Sequence, residues 1–513
     1  MERSAKPKLP LGLLYGLGLT VLSGTTIAHD VGNAGLPVCL EGNFMVADAM
    51  NAPFSNIPGP GRVLEMNIFT GERGITVDNP FAEPGTHDVF STDIAIPGPW
   101  KPTGVLSGGL NGHAFISGAA QHTLTEFHRD GTPIQSVRLP TAPAVDAGFG
   151  AVPRLLGSQM MPNGNLIQNV CDANFFNASN SDTILPGEPD PAGDGNASNL
   201  YFPPVYSTPE RAANSRLLVL DQETLEVVDE YSAPDDPRWT CMAGVVFSDE
   251  GMYVSMFHGA AVFVIDWKAG LESGSAGVGS NETGKKFKLG QKKNKAKMIR
   301  VIDLLGPDAA MDDPRRRDSL RAITFDEGGN LYATFRARSR DCLRGEFPGA
   351  PNGCNPGVFR QHVAVVPWGE SYPTRTIALD PGVNVIAGIR TNRMSGVACD
   401  AINPVDPGMG KRSDPDACDV ETLLVAASAF NPGCTETGPV GANPCFRPGG
   451  GVGEYLITPE AADGHDGSCS GDPFGDNSGC ARPVATFEFK DEFGNVETID
   501  PRMLMTIHEA FGQ

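Results

Sequence analysis

Short apolar runs separated by Gly-, Pro- and Asn-rich turns recur from Gly35 to Phe489. Their hydrophobic positions alternate or run continuously over a few residues, which predicts strands and not helices. Six segments share a turn followed by an apolar strand: Gly42–Asp48, Gly112–Gly118, Gly164–Val170, Gly251–Phe257, Gly329–Phe335 and Glu421–Ala427. Each follows a shorter apolar run, namely Gly35–Leu40, Thr103–Leu106, Leu156–Met161, Ala243–Phe247, Ala322–Phe325 and Ser395–Cys399. A third run follows in every unit, such as SRLLVLD from Ser215, and a fourth in most, such as TRTIAL from Thr374.

Four short strands repeated about six times predict an all-β β-propeller of four-stranded blades, because one blade cannot cover both faces of its sheet and a closed ring can. Six blades fit, and seven if Gly74–Ile96 contains a degenerate unit. A β-sandwich is the alternative, and six recurrent units are too many for one. The ring is expected to close through strands near Pro483–Phe489, with residues 491–513 a tail packing on the propeller. Much of the surplus length falls between second and third strands, at 171–214, 336–357 and 429–449, which gathers long loops on one rim.

AITFDEGGNLYATF (Ala322–Phe335) and GNFMVADAMN, with Ala47-Asp48 and Asn51, resemble the NHL-repeat and gluconolactonase-like propellers. The resemblance implies the architecture, and a divalent cation held on one rim by carboxylate and amide oxygens. Asp48, Asn51, Asn174 and Asn431 stand where such ligands are needed, but the family's Glu and Asp ligands have no counterpart here. The resemblance therefore does not carry a lactonase activity over.

Composition narrows the function classes. Of 513 residues, 62 are Gly and 43 Pro, the chemistry of many turns. The net charge of −22 excludes a nucleic-acid binder acting through bulk charge. Residues 1–28 read as a secretory signal, with Arg3, Lys6 and Lys8 before an apolar stretch and Thr26–Ala28 offering a cleavage site. A retained anchor is the alternative, and no other stretch is long enough to span a bilayer. The 29–490 propeller is thus expected to be secreted or periplasmic, not an integral membrane protein. Export agrees with four close cysteine pairs that read as loop disulfides: Cys342–Cys354, Cys399–Cys418, Cys434–Cys445 and Cys469–Cys480. No CxxC occurs, so zinc sites built on that spacing are not expected. Cys39, Cys171 and Cys241 are left over.

The candidate chemistry is mostly basic. Lys101, Arg154, Arg238, Arg321 and Arg393 lie near the expected starts of innermost strands, where a propeller crowds residues round its channel mouth. Converging guanidinium groups bind carboxylate, sulfate or phosphate; ion pairs with acidic neighbours are the structural alternative. A rim set comprises Asn51, His122, Asn174, His258, Arg336 and Asn431, of which Asn51, His122, Asn174 and His258 are candidate metal ligands. Copper or iron suits imidazoles converging from different blades, His113 and His362 included. Calcium suits the acidic loops around Asp190–Asn196 and Asp463–Asn477. Seven Lys crowd Lys285–Lys297, a solvated run or a docking arm for an anionic surface or the protein's own rim.

These features predict an exported propeller that binds a small polar or anionic ligand, or a protein partner, at its channel mouth and loop-rich rim. The alternative is a metal-dependent enzyme there, either a lactonase-type hydrolase or a His-ligated copper or iron oxidoreductase.

Overall fold

The computed structural model describes residues 43–50, 61–68, 73–78, 102–107, 113–118, 123–128, 132–139, 154–171, 215–232, 242–256, 259–268, 294–295, 297–309, 320–337, 360–380, 382–406, 418–432, 449–457, 481–491 and 493–506, with a few isolated residues between. They form six four-stranded antiparallel sheets. From the inner strand outward, blade 1 is Pro501–Thr506, Asn43–Asp48, Arg62–Asn67 and Arg73–Asp78. Blade 2 is Pro102–Ser107, Ala114–Gly118, Thr123–Phe127 and Pro133–Arg138. Blade 3 is Arg154–Met160, Leu166–Cys171, Arg216–Leu220 and Val227–Ser232. Blade 4 is Met242–Phe247, Met252–Met256, Ala261–Ile265 and Met298–Asp303. Blade 5 is Leu320–Phe325, Leu331–Ala337, Arg360–Val366 and Arg375–Ala378. Blade 6 is Val383–Arg393, Glu421–Phe430, Gly451–Leu456 and Arg482–Phe487. The inner strands neighbour one another in cyclic order, the last against the first. The chain is a six-bladed β-propeller.

The ring explains why the middle strands read as nearly continuous apolar runs. Asn43–Asp48, Ala114–Gly118, Thr123–Phe127, Arg216–Leu220, Met252–Met256 and Ala261–Ile265 are buried at every position, because neighbouring blades cover both faces. Alternate residues serve opposite layers: Leu217 and Val219 pack with blade 4, Leu218 and Leu220 with blade 2. The core is accordingly a set of layers between blades. Outer strands are less covered: Met298–Asp303 grades along its length from exposed at Met298 and Ile299 to buried at Ile302 and Asp303.

Three expectations need correction. Closure is not at Pro483–Phe489, which falls on the outer strand of blade 6; it is made by Pro501–Thr506, which pairs with Asn43–Asp48. A segment expected in the tail thus supplies the inner strand of blade 1, and Gly35–Leu40 lies outside the described residues. The Ser395–Cys399 run is not a strand. Val383–Arg393 already fills the inner position of blade 6, and Gly396–Ile402 is a short helix. Ser395 caps it, its side chain accepting from the Ala398 amide at 2.9 Å. Finally, Arg73–Asp78, which overlaps the start of the stretch where a seventh blade was weighed, is the outer strand of blade 1.

Of the expected disulfides, Cys399–Cys418 is present and ties this helix to the chain leading into Glu421–Phe430. Cys342, Cys354, Cys434, Cys445, Cys469 and Cys480 lie outside the described residues, as do the leader and both acidic loops. The end of the Lys-rich run adds a short fifth strand, Asn294–Lys295, parallel to the outer strand of blade 3. That covers an edge which would otherwise expose unpaired backbone groups. Among the described residues no helix is long and apolar enough to cross a membrane.

Candidate functional site at the channel mouth

Inner strands enter the ring on the face where second strands end, and every inner strand is irregular in its entry half. Its register with the second strand shifts at Pro501–Met503, Pro102–Gly104, Leu156–Ser158, Met242–Val245, Leu320–Ile323 and Ile386–Gly388. Bulges leave one residue unpaired and re-aim side chains, and they concentrate beside functional sites. The inner strands also come very close there. A Cβ on Gly157, whose φ is +24°, would sit 2.6 Å from the Ala243 carbonyl, so only glycine fits between blades 3 and 4.

Polar groups without partners lie on the inner strand of blade 3 and on the second strands of blades 2 and 3 beside it. Ser117 Oγ, Ser158 Oγ and both amide atoms of Asn169 are buried and make no hydrogen bond among the described residues. Both serine hydroxyls lie against the point that a Cβ on Gly104 would take, at 2.3 Å for Ser117 and 3.2 Å for Ser158. Asn169 Nδ2 lies 3.3 Å from the corresponding point on Gly157. Burying such atoms unsatisfied is costly, so they call for water or ligand atoms. By contrast, the equivalent hydroxyls of Ser255 and Thr334 bond the backbone of Gly244 and Ala322 within their own blades.

At the seam between blades 6 and 1 the mouth is ionic. Asp48 accepts from Arg62 Nε at 3.1 Å and from the Asp500 amide at 2.8 Å, and Arg62 Nη2 reaches Glu497 at 2.9 Å. Burial pushes the Asp48 carboxyl above the usual aspartate range, against the pull of the Asp500 amide and Arg62. Next to it, Arg502 Nη2 donates to Asp500 at 2.8 Å, and Asp500 accepts from Ser428 Oγ at 2.7 Å. Arg502 occupies the unpaired bulge position, is partly exposed and makes no other bond among the described residues.

Arg502 was missed by sequence reasoning, which placed the inner strand of blade 1 at the wrong end of the chain. The basic residue just inside an apolar run, in PRMLMT, was the available signal. The five basic candidates then divide. Arg154 and Arg321 are the first and second residues of the inner strands of blades 3 and 5, at the mouth, and their side chains lie outside the described set. Lys101, just before Pro102, is also outside it. Arg238 bonds Asp236 at 2.8 Å and approaches Asp303, at the end of the outer strand of blade 4, at 3.5 Å, so its side chain leads away from the channel. Arg393 is the last residue of its inner strand, on the opposite face, exposed and paired with Glu327 and Asp419. For Arg238 and Arg393 the ion-pair alternative is what the structure displays.

The candidate ligands Asn51, His122, Asn174 and His258 lie outside the described residues. His362 is fully buried in blade 5, stacked on Phe335. Asn431 follows the second strand of blade 6 on the mouth side, its amide donating to Gly382 at 3.0 Å. No group of three or more His, Cys, Asp or Glu able to hold a metal occurs among the described residues.

No family model matches the chain, and no curated protein matches it. Among solved structures it is similar to a protein of unknown function from Bacteroides caccae, with 10% identity over 90% of this chain and 97% of that one, at a TM-score of 0.39. It is also similar to Kuenenia stuttgartiensis hydrazine synthase, with 11% identity over 70% and 63% and a TM-score of 0.33. The virginiamycin B lyase of Staphylococcus aureus matches with 10% identity over 64% and 83%, at 0.28. Likeness this distant carries no activity across; the strand topology alone establishes the propeller.

Proposed function

We propose that this chain is an exported propeller that binds a small polar or anionic ligand at the mouth of its channel. The observation that carries the reading is a group of unpartnered polar side chains where the inner and second strands of blades 2 and 3 meet, Ser158 on an inner strand and Ser117 and Asn169 on second strands. Ser117, Ser158 and Asn169 offer uncharged donors and acceptors, Arg502 has free N–H groups, and Arg154 and Arg321 start two more inner strands. Neutral groups that orient and guanidinium groups that hold charge are what a carboxylate- or phosphate-bearing ligand needs. Export is supported by the apolar leader with its basic flank and by the Cys399–Cys418 disulfide.

Thermal unfolding of the purified chain in the presence of sugar acids, dicarboxylates and phosphate esters tests the proposal. A ligand that binds only the folded chain raises the melting temperature as its concentration rises. We expect at least one class to do so, with the shift lost in Arg154→Ala and Arg321→Ala. A shift that survives both substitutions, or none for any class, defeats it.

A further inference from the structure

On the opposite face of the ring, blade 2 brings two imidazoles together. Its second and third strands pair Ala114 with Phe127 and Phe115 with Glu126. One step beyond that register His113 opposes His128, so both project from the same face of the sheet as Phe115 and Glu126. Their rings lie edge to face with centroids 5.0 Å apart. His113 Nδ1 is 2.6 Å from Glu126 Oε1, and a carboxylate accepts, so in the neutral imidazole Nδ1 carries the proton and the lone pair is on Nε2. The carboxylate is itself fixed. Gln135 Nε2 donates to Glu126 Oε2 at 2.6 Å and to the Glu223 carbonyl of blade 3 at 2.8 Å. Neither His113 Nε2 nor either ring nitrogen of His128 has a partner among the described residues, and His128 is exposed.

A carboxylate held by Gln135 that orients one imidazole, with a second imidazole beside it, is the arrangement of metal-ligating histidines and their supporting shell. We propose that His113 and His128 bind one borderline transition dication, Zn2+ or Cu2+, with water completing its coordination. Imidazole nitrogens select such ions over Mg2+ and Ca2+, which prefer oxygen. The site is distinct from the channel mouth, and it stands whether or not the mouth binds a ligand. Sequence reasoning grouped His113 with imidazoles of other blades and did not pair it with His128, because the pairing depends on a strand register.

Calorimetric titration of the full metal-free chain with ZnCl2 tests this, alongside electron paramagnetic resonance of the Cu2+-loaded chain to count coordinated nitrogens. Wild type should take up one saturable Zn2+ that is lost in His113→Ala and in the exposed-site variant His128→Ala. Glu126→Gln should weaken it about 10–100-fold. The Cu2+ signal should show two imidazole nitrogens, and none from this pair in the double variant. Circular dichroism melts confirm that each variant is folded. Zn2+ uptake by folded His128→Ala equal to that of wild type overturns the proposal, as does absence of saturable uptake by wild type.

Discussion

The backbone amide of Asp500 donates to the carboxylate of Asp48 at 2.8 Å, although the two residues are 452 positions apart in the chain. Through this bond the last strand of the ring is anchored to the first. Asp48 is also the counter-charge of Arg62, whose side chain is nearly inaccessible. Asp48→Ala leaves that guanidinium with Glu497 alone and the Asp500 amide without its acceptor, and should lower the unfolding free energy by about 1–3 kcal/mol. Asp48→Asn, which keeps an acceptor for the amide, should cost less. Urea denaturation of the two variants measures both, and equal stability of Asp48→Ala and wild type would show that the seam does not depend on this carboxylate.

The inner strands of blades 6 and 1 touch at Gly388. A Cβ there would lie 2.5 Å from the Leu504 nitrogen and 2.6 Å from its Cβ, and neither backbone can retreat without opening the seam. Gly388→Ala should therefore destabilise by about 1–3 kcal/mol through overpacking. Gly369→Ala is the comparison, with φ +79° and open space around it, where conformational strain alone costs about 1 kcal/mol. A smaller loss at Gly388 than at Gly369 would refute the close approach.

Glu454 is fully buried in blade 6 and accepts from the Ser395 amide at 2.8 Å, from the Ser395 hydroxyl and from Thr422 at 2.6 Å. Burial nevertheless raises its carboxyl above the ordinary 4.5, overcoming the pull of those donors. A folded chain that holds this proton more tightly than the unfolded one is favoured at low pH. The contribution of Glu454 is whole below pH 4.5 and is lost as the pH climbs through the raised folded value. The stability difference between wild type and Glu454→Gln should accordingly fall with rising pH above 4.5 and then level off. A difference independent of pH would mean that Glu454 titrates alike in both states.

Cys399 and Cys418 close a loop of 19 residues round the helix. Replacing both by Ser should remove about 3 kcal/mol, the scale expected for a loop of that length. The loss should be local. Amide exchange in Gly396–Ile402 is expected to accelerate while the strands of blade 4 keep their protection, and uniform acceleration would argue against a staple confined to this helix.

Blades 2 to 5 were legible because each contains its own strands in order, and the middle strands are covered on both faces, which writes short apolar runs between turns. Leu331–Ala337 and Met252–Met256 are the plainest. What failed was non-local or depended on context. PRMLMT becomes an inner strand only because residues 43–48 await a partner, and nothing local marks that. SGVAC looked like a strand because Val, Ala and Cys are apolar; Ser395 as a cap and Glu454 beside it decide for a helix. That error displaced the inner strand of blade 6, and with it Arg393 from one face to the other. At the mouth, arginines near strand starts were visible in the sequence, whereas the unsatisfied Ser117, Ser158 and Asn169 were not, because satisfaction depends on how neighbouring blades meet.

The late closing strand has a consequence for the order of assembly. During synthesis Asn43–Asp48 emerges early, yet its inner edge has no partner until Pro501–Thr506 is made. Blades 2 to 6 can pair their strands as they appear, whereas blade 1 must hold a bare, apolar edge through nearly the whole period of translation. Such an edge invites pairing with other chains. Completing the ring then requires a docking event between the two extremities of the strand array, and its timing sets the window in which nascent copies can cross-pair.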